Sequence, residues 1–446
     1  MQRSAHIVAA RRSPVAPRGG DLATLELHAL AAPVIRAVLG DAGIGAAQVD
    51  EIIVSNALGA GGNPARLVAL AADLPQRIGG YSIDRQCCGG LDALALARAM
   101  IVSGQAEIVL AGGVETYSQR PIRLRSRHGT ALALPYDRPA FAPVADQDPD
   151  MDIAADQVAQ QMGIDRAAQD AWARLSHQKA QAAQKALAVE IVALGPKNLD
   201  HDSYTRRLSP ELCARAPILS GSITHANSAV AADAAAFSLV VSDRIAAQIA
   251  APSVAILQSA ALASDPAFPA LAPVPAIREV LQKGGVGARD LAQVEMMEAY
   301  AAQALACIQE TGLDPARCNI KGGALARGHP IGASGAILAV RLFHDLRQSA
   351  GQIGLAAIAA AGGLGSETSR SSDPAFARGI NARAPATMMT KQPMAMAGRM
   401  PPVSPAAATI SGDGVSPASN AAASGSPPGR AAATANADDG RDVGSG

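Results

Sequence analysis

An α/β fold made of two similar halves, with a polar insertion between them, is what this sequence predicts. Short apolar runs alternate with helical stretches, the pattern of β-α-β units whose parallel strands are covered on both faces. One arrangement occurs twice, at 87–113 and at 332–363: small-residue turn, helix, apolar strand, paired glycines. It reads as an internal duplication. The 446 residues also exceed the size at which one hydrophobic core keeps growing, so two or more domains are expected.

The first half opens with a buried strand at 6–10 and an amphipathic helix at 22–39, stopped by Gly40 and Gly43. A strand at 51–55 leads through the glycine-rich turn 59–62 to a helix at 67–72. An Ala- and Leu-rich helix at 91–103 then feeds the apolar strand 107–111, which should end at Gly112 and Gly113. The second half offers a strand at 254–258, a helix at 276–283, a strand at 294–296 and a helix at 299–310. A glycine turn at 332–335, a helix at 337–349 and a strand at 355–360 follow, ending in Gly362 and Gly363.

Between the halves the character changes. A basic segment (Arg120, Arg123, Arg125, Arg127, His128) passes through proline-containing loops into a polar helical region around Trp172 and 178–188. The expected division is 1–116, completed by about 229–248, then an insertion at 117–228 and a second half at 249–370. After about Ser371 the composition collapses into Ala, Pro, Gly, Ser and Met, so 371–446 is expected to be a disordered tail, dispensable for chemistry.

Hydrophobic residues make up 49% but aromatics only 2%, so the core must be built from Ala, Val, Leu and Ile. The 38 Lys and Arg balance the 38 Asp and Glu, which gives no reason to expect nucleic acid or another polyanion as partner. Cys87, Cys88, Cys213, Cys307 and Cys318 fall in neither metal-ligand nor disulfide spacing; no metal and a reducing compartment are expected. No apolar leader and no uncharged run near the roughly 20 residues of a bilayer span are present, so a soluble cytoplasmic protein is expected.

The chemistry starts at Asp84-Arg85-Gln86-Cys87-Cys88-Gly89-Gly90-Leu91. A thiol at a helix N-terminus has its thiolate favoured by the positive end of the dipole. The glycines let an acyl group approach backbone N–H groups able to hold an oxyanion. An inert cysteine beside glycines is the alternative reading. It loses ground beside Lys321-Gly322-Gly323-Ala324 and Gly328-His329-Pro330-Ile331-Gly332-Ala333-Ser334-Gly335, which place an imidazole in a glycine-rich loop.

With Asn63-Pro64-Ala65-Arg66, Ala111-Gly112-Gly113-Val114-Glu115 and Val294-Glu295-Met296-Met297-Glu298-Ala299-Tyr300-Ala301, these motifs make the chain resemble a thiolase, an acyl-CoA C-acyltransferase, from about Ala5 to Gly365. The resemblance implies the five-layered α-β-α-β-α thiolase fold with an inserted loop domain. It implies Cys87 as the nucleophile that accepts the acyl group, and His329 as its base. It implies acyl-CoA and CoA as ligands, no separate cofactor, and a homodimer or homotetramer. In such enzymes the inserted domain covers the site and binds CoA. Arg123 and Arg125 are then candidates for its phosphates, which suit the arginine fork; a solvated loop and an oligomer contact are the other readings. Met151 matches a pocket-lining methionine.

Three departures qualify the resemblance. Met297 stands where the family has an asparagine that holds a water in one oxyanion hole, and a thioether donates no hydrogen bond. Ala359 stands in place of the second, acid/base cysteine, and Ala229 in place of a serine beside the pantetheine. The backbone of Cys87 and Ala361 would still supply the other oxyanion hole. Two residues are candidate acid/base substitutes: Cys88, otherwise a small filler, and His225, otherwise a loop histidine. Full condensing activity is therefore expected to suffer more than acyl transfer. The alternatives are a non-catalytic acyl-CoA-binding subunit and an acyl-CoA thioester hydrolase.

Overall fold

The computed structural model describes residues 3–372, apart from 60, 127, 130, 131 and 349–351. The expected disordered tail, from 373 on, and Arg127 lie outside the described residues.

Nine strands run along one sheet. In the first half these are β1 (Ala5–Arg12), β2 (Glu51–Ser55), β3 (Tyr81–Ile83), β4 (Ile108–Glu115) and β5 (Ala232–Ser242); in the second, β6 (Val254–Ala263), β7 (Leu291–Met296), β8 (Ile353–Ala360) and β9 (Leu364–Ser371). The first half has the order β3-β2-β4-β5-β1, with β5 antiparallel to both neighbours. The second has β7-β8-β9-β6, with β9 antiparallel to both neighbours. Cys318 makes a parallel bridge to Val294 on the free edge of β7, the place that β3 takes in the first half. Strand for strand, the halves have one topology. They touch where β1 meets β6 in a short antiparallel pairing, His6 to Ala255 and Ile7 to Val254.

Helices form the other layers. α1 (Leu27–Ala42) and α2 (Pro64–Ala71) cover the outer face of the first half, sealing a core of Val34, Ile35, Ile52 and Phe237. The α1 chain ends at Gly43 in the left-handed conformation, φ 63°. α3 (Gly89–Ser103) and α8 (Ile331–Arg347) lie between the halves in a core that draws Leu91, Leu94, Ile337 and Phe343 together with strand residues of both halves. α6 (Pro273–Gly284) and α7 (Ala301–Thr311) cover the outer face of the second half.

The insertion occupies the connection between β4 and β5. In the second half the same connection is only the three-residue turn Ala361-Gly362-Gly363, its two glycines both at φ 74°, whereas the insertion is a whole subdomain. It carries α4 (Met151–Gln161), α5 (Arg166–Ala182) and a small hairpin pairing Leu124–Ser126 with Ala133–Pro135.

Two expectations need correction. Gly112 and Gly113 do not end a strand, since β4 continues to Glu115, fully buried throughout. Residues 332–335 are not a turn but the first turn of α8. Among the described residues no helix is long and apolar enough to cross a membrane.

Candidate active site

α3 and α8 are equivalent helices of the two halves, and their N-terminal turns lie side by side. A Cβ on Gly90 would come within 2.2 Å of the Ala336 nitrogen, and one on Gly335 within 2.6 Å of the Leu91 nitrogen. Residues without side chains are thus what lets the two backbones meet. The residues just ahead of each helix then face one another: Cys87 Sγ lies 3.2 Å from His329 Nε2. Cys87 sits in a single tight turn, 86–88, whose first residue Gln86 holds φ 47° without being glycine. Backbone strain of this kind persists only where its surroundings impose it.

The proton positions on the imidazole follow from its other neighbour. With the Ser334 hydroxyl donating to the Pro330 carbonyl (3.0 Å), its oxygen accepts at 2.6 Å from His329 Nδ1. Nδ1 therefore carries the hydrogen, and Nε2 presents a lone pair to the Cys87 thiol. Burial, and after it the charge of Arg327, holds His329 down at about 4. Burial, and then the negative Glu115 and Asp84, pushes Cys87 up to about 12, despite its own backbone N–H. The resting pair is therefore a neutral thiol on a neutral imidazole. The thiolate expected from the helix dipole does not form at rest, because desolvation outweighs it.

Behind this pair, Glu115 at the end of β4 accepts N–H groups from Ala57, Leu58 and Gly332 and the side-chain amide of Asn56. It ties the start of α8 to the loop after β2, and burial pushes it up to about 7. Glu298 accepts from Trp172 Nε1, Ser176 Oγ and Asn319 Nδ2 at 2.7–3.0 Å, fastening α5 to the loop that carries the Lys321-Gly322-Gly323 run. The sequence reading did not assign roles to Ser334, Glu115 or Glu298. A hydroxyl five residues after His329, inside the same glycine-rich motif, is the signal the sequence holds.

The pair opens into a cavity of about 620 Å³. Met151, Ala229, Arg123, Ala359 and Ala361 all line it with Cys87 and His329. Other candidates do not. Met297 is fully buried in the core between the halves, so its side chain is packing and faces no substrate oxygen. Cys88 is also fully buried, its Sγ 3.7 Å from the carbonyls of Ile358 and Leu364, which removes it as an acid/base substitute. His225 is exposed on a loop whose backbone bonds Pro217, away from the cavity, and is no substitute either. Arg125 is exposed over the Tyr136 ring, 5.3 Å from its centroid, outside the cavity, whereas Arg123 donates to the Ala57 carbonyl at its edge.

Residues 5–244 match the family described as "Thiolase, N-terminal domain" and 250–369 match "Thiolase, C-terminal domain". A protein of Bacillus subtilis (strain 168) named "Putative acetyl-CoA C-acetyltransferase YhfS" is 40% identical, over 81% of this chain and 97% of its own length. "Acetyl-CoA acetyltransferase" of Cupriavidus necator is 37% identical, over 80% of this chain and 97% of its own. The enzyme of the same name from Rhizobium meliloti (strain 1021) is 36% identical, over 80% and 96%.

Proposed function

The chain belongs to the thiolase family, and from that premise we propose that it is an acyl-CoA C-acyltransferase whose acyl group passes through Cys87. The observation that carries this is the 3.2 Å contact between Cys87 Sγ and a His329 whose tautomer is fixed by Ser334. With an acyl-CoA in the cavity, the thiol proton moves to Nε2 as Sγ bonds the thioester carbonyl carbon. The tetrahedral oxyanion takes N–H groups of Cys87 and Ala361. Its collapse breaks the bond to the CoA sulfur, which leaves with the proton from His329.

Condensation asks for more, because a base must remove the α-proton of a second acyl-CoA. The cavity wall at that point is Ala359, Ala360 and Ala361, none of which moves a proton. Acyl transfer is therefore the fast half of the chemistry and carbon–carbon bond formation the slow half.

Intact-mass measurement after mixing with acetyl-CoA tests this. The expected result is one acetyl group on wild type and none on Cys87→Ala. Rapid release as free acid would identify a hydrolase, and no adduct on wild type a binding subunit.

Coenzyme A is read as substrate, with no further cofactor. The enzyme is read as cytoplasmic, working in fatty acid metabolism as a homodimer or homotetramer. β3 is the outer strand of its half, with Tyr81 56% exposed, an edge that a second copy would extend. Light scattering showing a stable monomer at micromolar concentration would contradict the assembly.

A further inference from the structure

The cavity wall between α4 and α7 is apolar, formed by Met151, Ala154, Ala155, Pro269 and Ala270, with two exceptions, Tyr300 and Gln303. Both belong to the start of α7. Gln303 is 1% exposed. Its Oε1 accepts the Ala299 N–H at 3.3 Å, which fixes the orientation of the amide, since the reverse would set two donors against each other. Among the described residues the amide nitrogen then meets only sulfur, Cys307 Sγ at 3.6 Å and Met296 Sδ at 3.9 Å. Sulfur is a weak acceptor, and a buried amide donor left with such partners has hydrogen-bonding capacity to spare. Tyr300 is complementary. Its hydroxyl hydrogen is committed to Asp152 Oδ1 at 2.6 Å, so towards the cavity its oxygen can only accept.

One donor and one acceptor on the same wall match a group that both accepts and donates. Resting on the acyltransferase reading above, we infer that the acyl groups this enzyme prefers carry a hydroxyl, which accepts from Gln303 Nε2 and donates to Tyr300 Oη. A plain alkyl chain would leave both groups unanswered. A terminal carboxylate would answer Gln303 but bring its charge towards the Asp152 carboxylate, an arrangement that selects against it.

Binding to the Cys87→Ala protein tests the preference without requiring any chemistry. Calorimetric dissociation constants are compared for butanoyl-CoA, 3- and 4-hydroxybutanoyl-CoA and succinyl-CoA. The better hydroxyacyl-CoA should bind about tenfold more tightly than butanoyl-CoA, the scale of one buried hydrogen bond, and more tightly than succinyl-CoA. Adding Tyr300→Phe or Gln303→Met should bring the ratio close to one, each variant being read against its own butanoyl-CoA constant. A ratio of one in the parent protein, tighter succinyl-CoA, or a preference surviving both substitutions would overturn the inference. Acylation of wild-type Cys87 is read separately. If it fails with every thioester while the ratio stands, the acyltransferase reading falls and the hydroxyl preference does not; if no CoA thioester binds at all, both fall.

Discussion

Ser334 shows how much of the reactivity rests on one side chain. By accepting from Nδ1 it leaves Nε2 basic, and without it the imidazole can turn the wrong face to Cys87. Ser334→Ala should slow acylation by roughly 10²-fold, the low end of what a general base contributes, with the fold kept; stopped-flow acylation with acetyl-CoA reads it. The pH profile has a sign that follows from the two shifts. His329 is held at about 4, so it is a free base above that, and Cys87 is pushed to about 12, so it keeps its proton below that. The acylation rate should rise as pH climbs through about 4 and then stay level across the neutral range; a step near the ordinary histidine value, ~6.5, would contradict the assignment. Ala359 makes the third residue-scale case. It lines the cavity at the end of β8, so Ala359→Cys would place a thiol where the α-proton is exchanged. Condensation or thiolysis of acetoacetyl-CoA should rise, by up to roughly 10²-fold for a partly restored acid/base group. Unchanged rates would mean that another group already does this work.

At the scale of elements, the site depends on the contact between α3 and α8. Gly90→Ala would drive a methyl into the Ala336 backbone, and the cost of such overpacking is about 1–3 kcal/mol. The urea midpoint should fall accordingly, and acylation should fall further, because the helices that bring Cys87 to His329 would separate; a variant with wild-type rate and stability would show that the contact is slack. This contact also explains what was legible in the sequence. The duplication could be read because turn, helix, strand and glycines are local patterns, and Cys87 and His329 because each sits in a local motif. The glycines at 112–113 read as a strand end and those at 332–335 as a turn, since alone they signal turns. Their purpose is tertiary: a Cβ on Gly113 would lie 2.0 Å from the Gly332 carbonyl, a contact across more than 200 residues of chain. For Cys88 and His225 the sequence leaves two readings open, and the structure takes filler and loop histidine, because which side chains face a cavity is decided by strands far away in sequence.

Across the whole molecule, the halves and the insertion are joined by charge as well as by apolar packing. Arg12 of β1 bonds Glu190 at 2.8 Å and Asp202 at 2.7 Å, both from the insertion; Arg341 of α8 bonds Glu295 of β7 at 3.0 Å and lies 3.5 Å from Glu190. All five of these side chains are nearly or fully sealed from water, and Lys321 with Asp345 extends the set towards the His329 loop. None of this is visible in the sequence, where the same residues lie far apart along the chain. Burying ions costs desolvation, which their mutual attraction offsets only when the set is complete. Glu190 and Asp202 are both held below the ordinary carboxylate range, the positive charge of Arg12 overcoming burial, whereas Glu295 is pushed up to about 7 because burial prevails there even beside Arg341. Glu295 is thus the carboxylate that depends most on its partner. Arg341→Met keeps the length and apolar stem of the side chain but leaves Glu295 sealed in without its cation. Removing one member of a buried pair costs about 3–5 kcal/mol, so the urea midpoint should drop by that equivalent. Glu295→Gln added to Arg341→Met should recover much of the loss, since it removes the stranded charge. A drop below about 1 kcal/mol, the range of exposed ion pairs, or a double variant no better than the single one, would show that packing alone holds the three parts together.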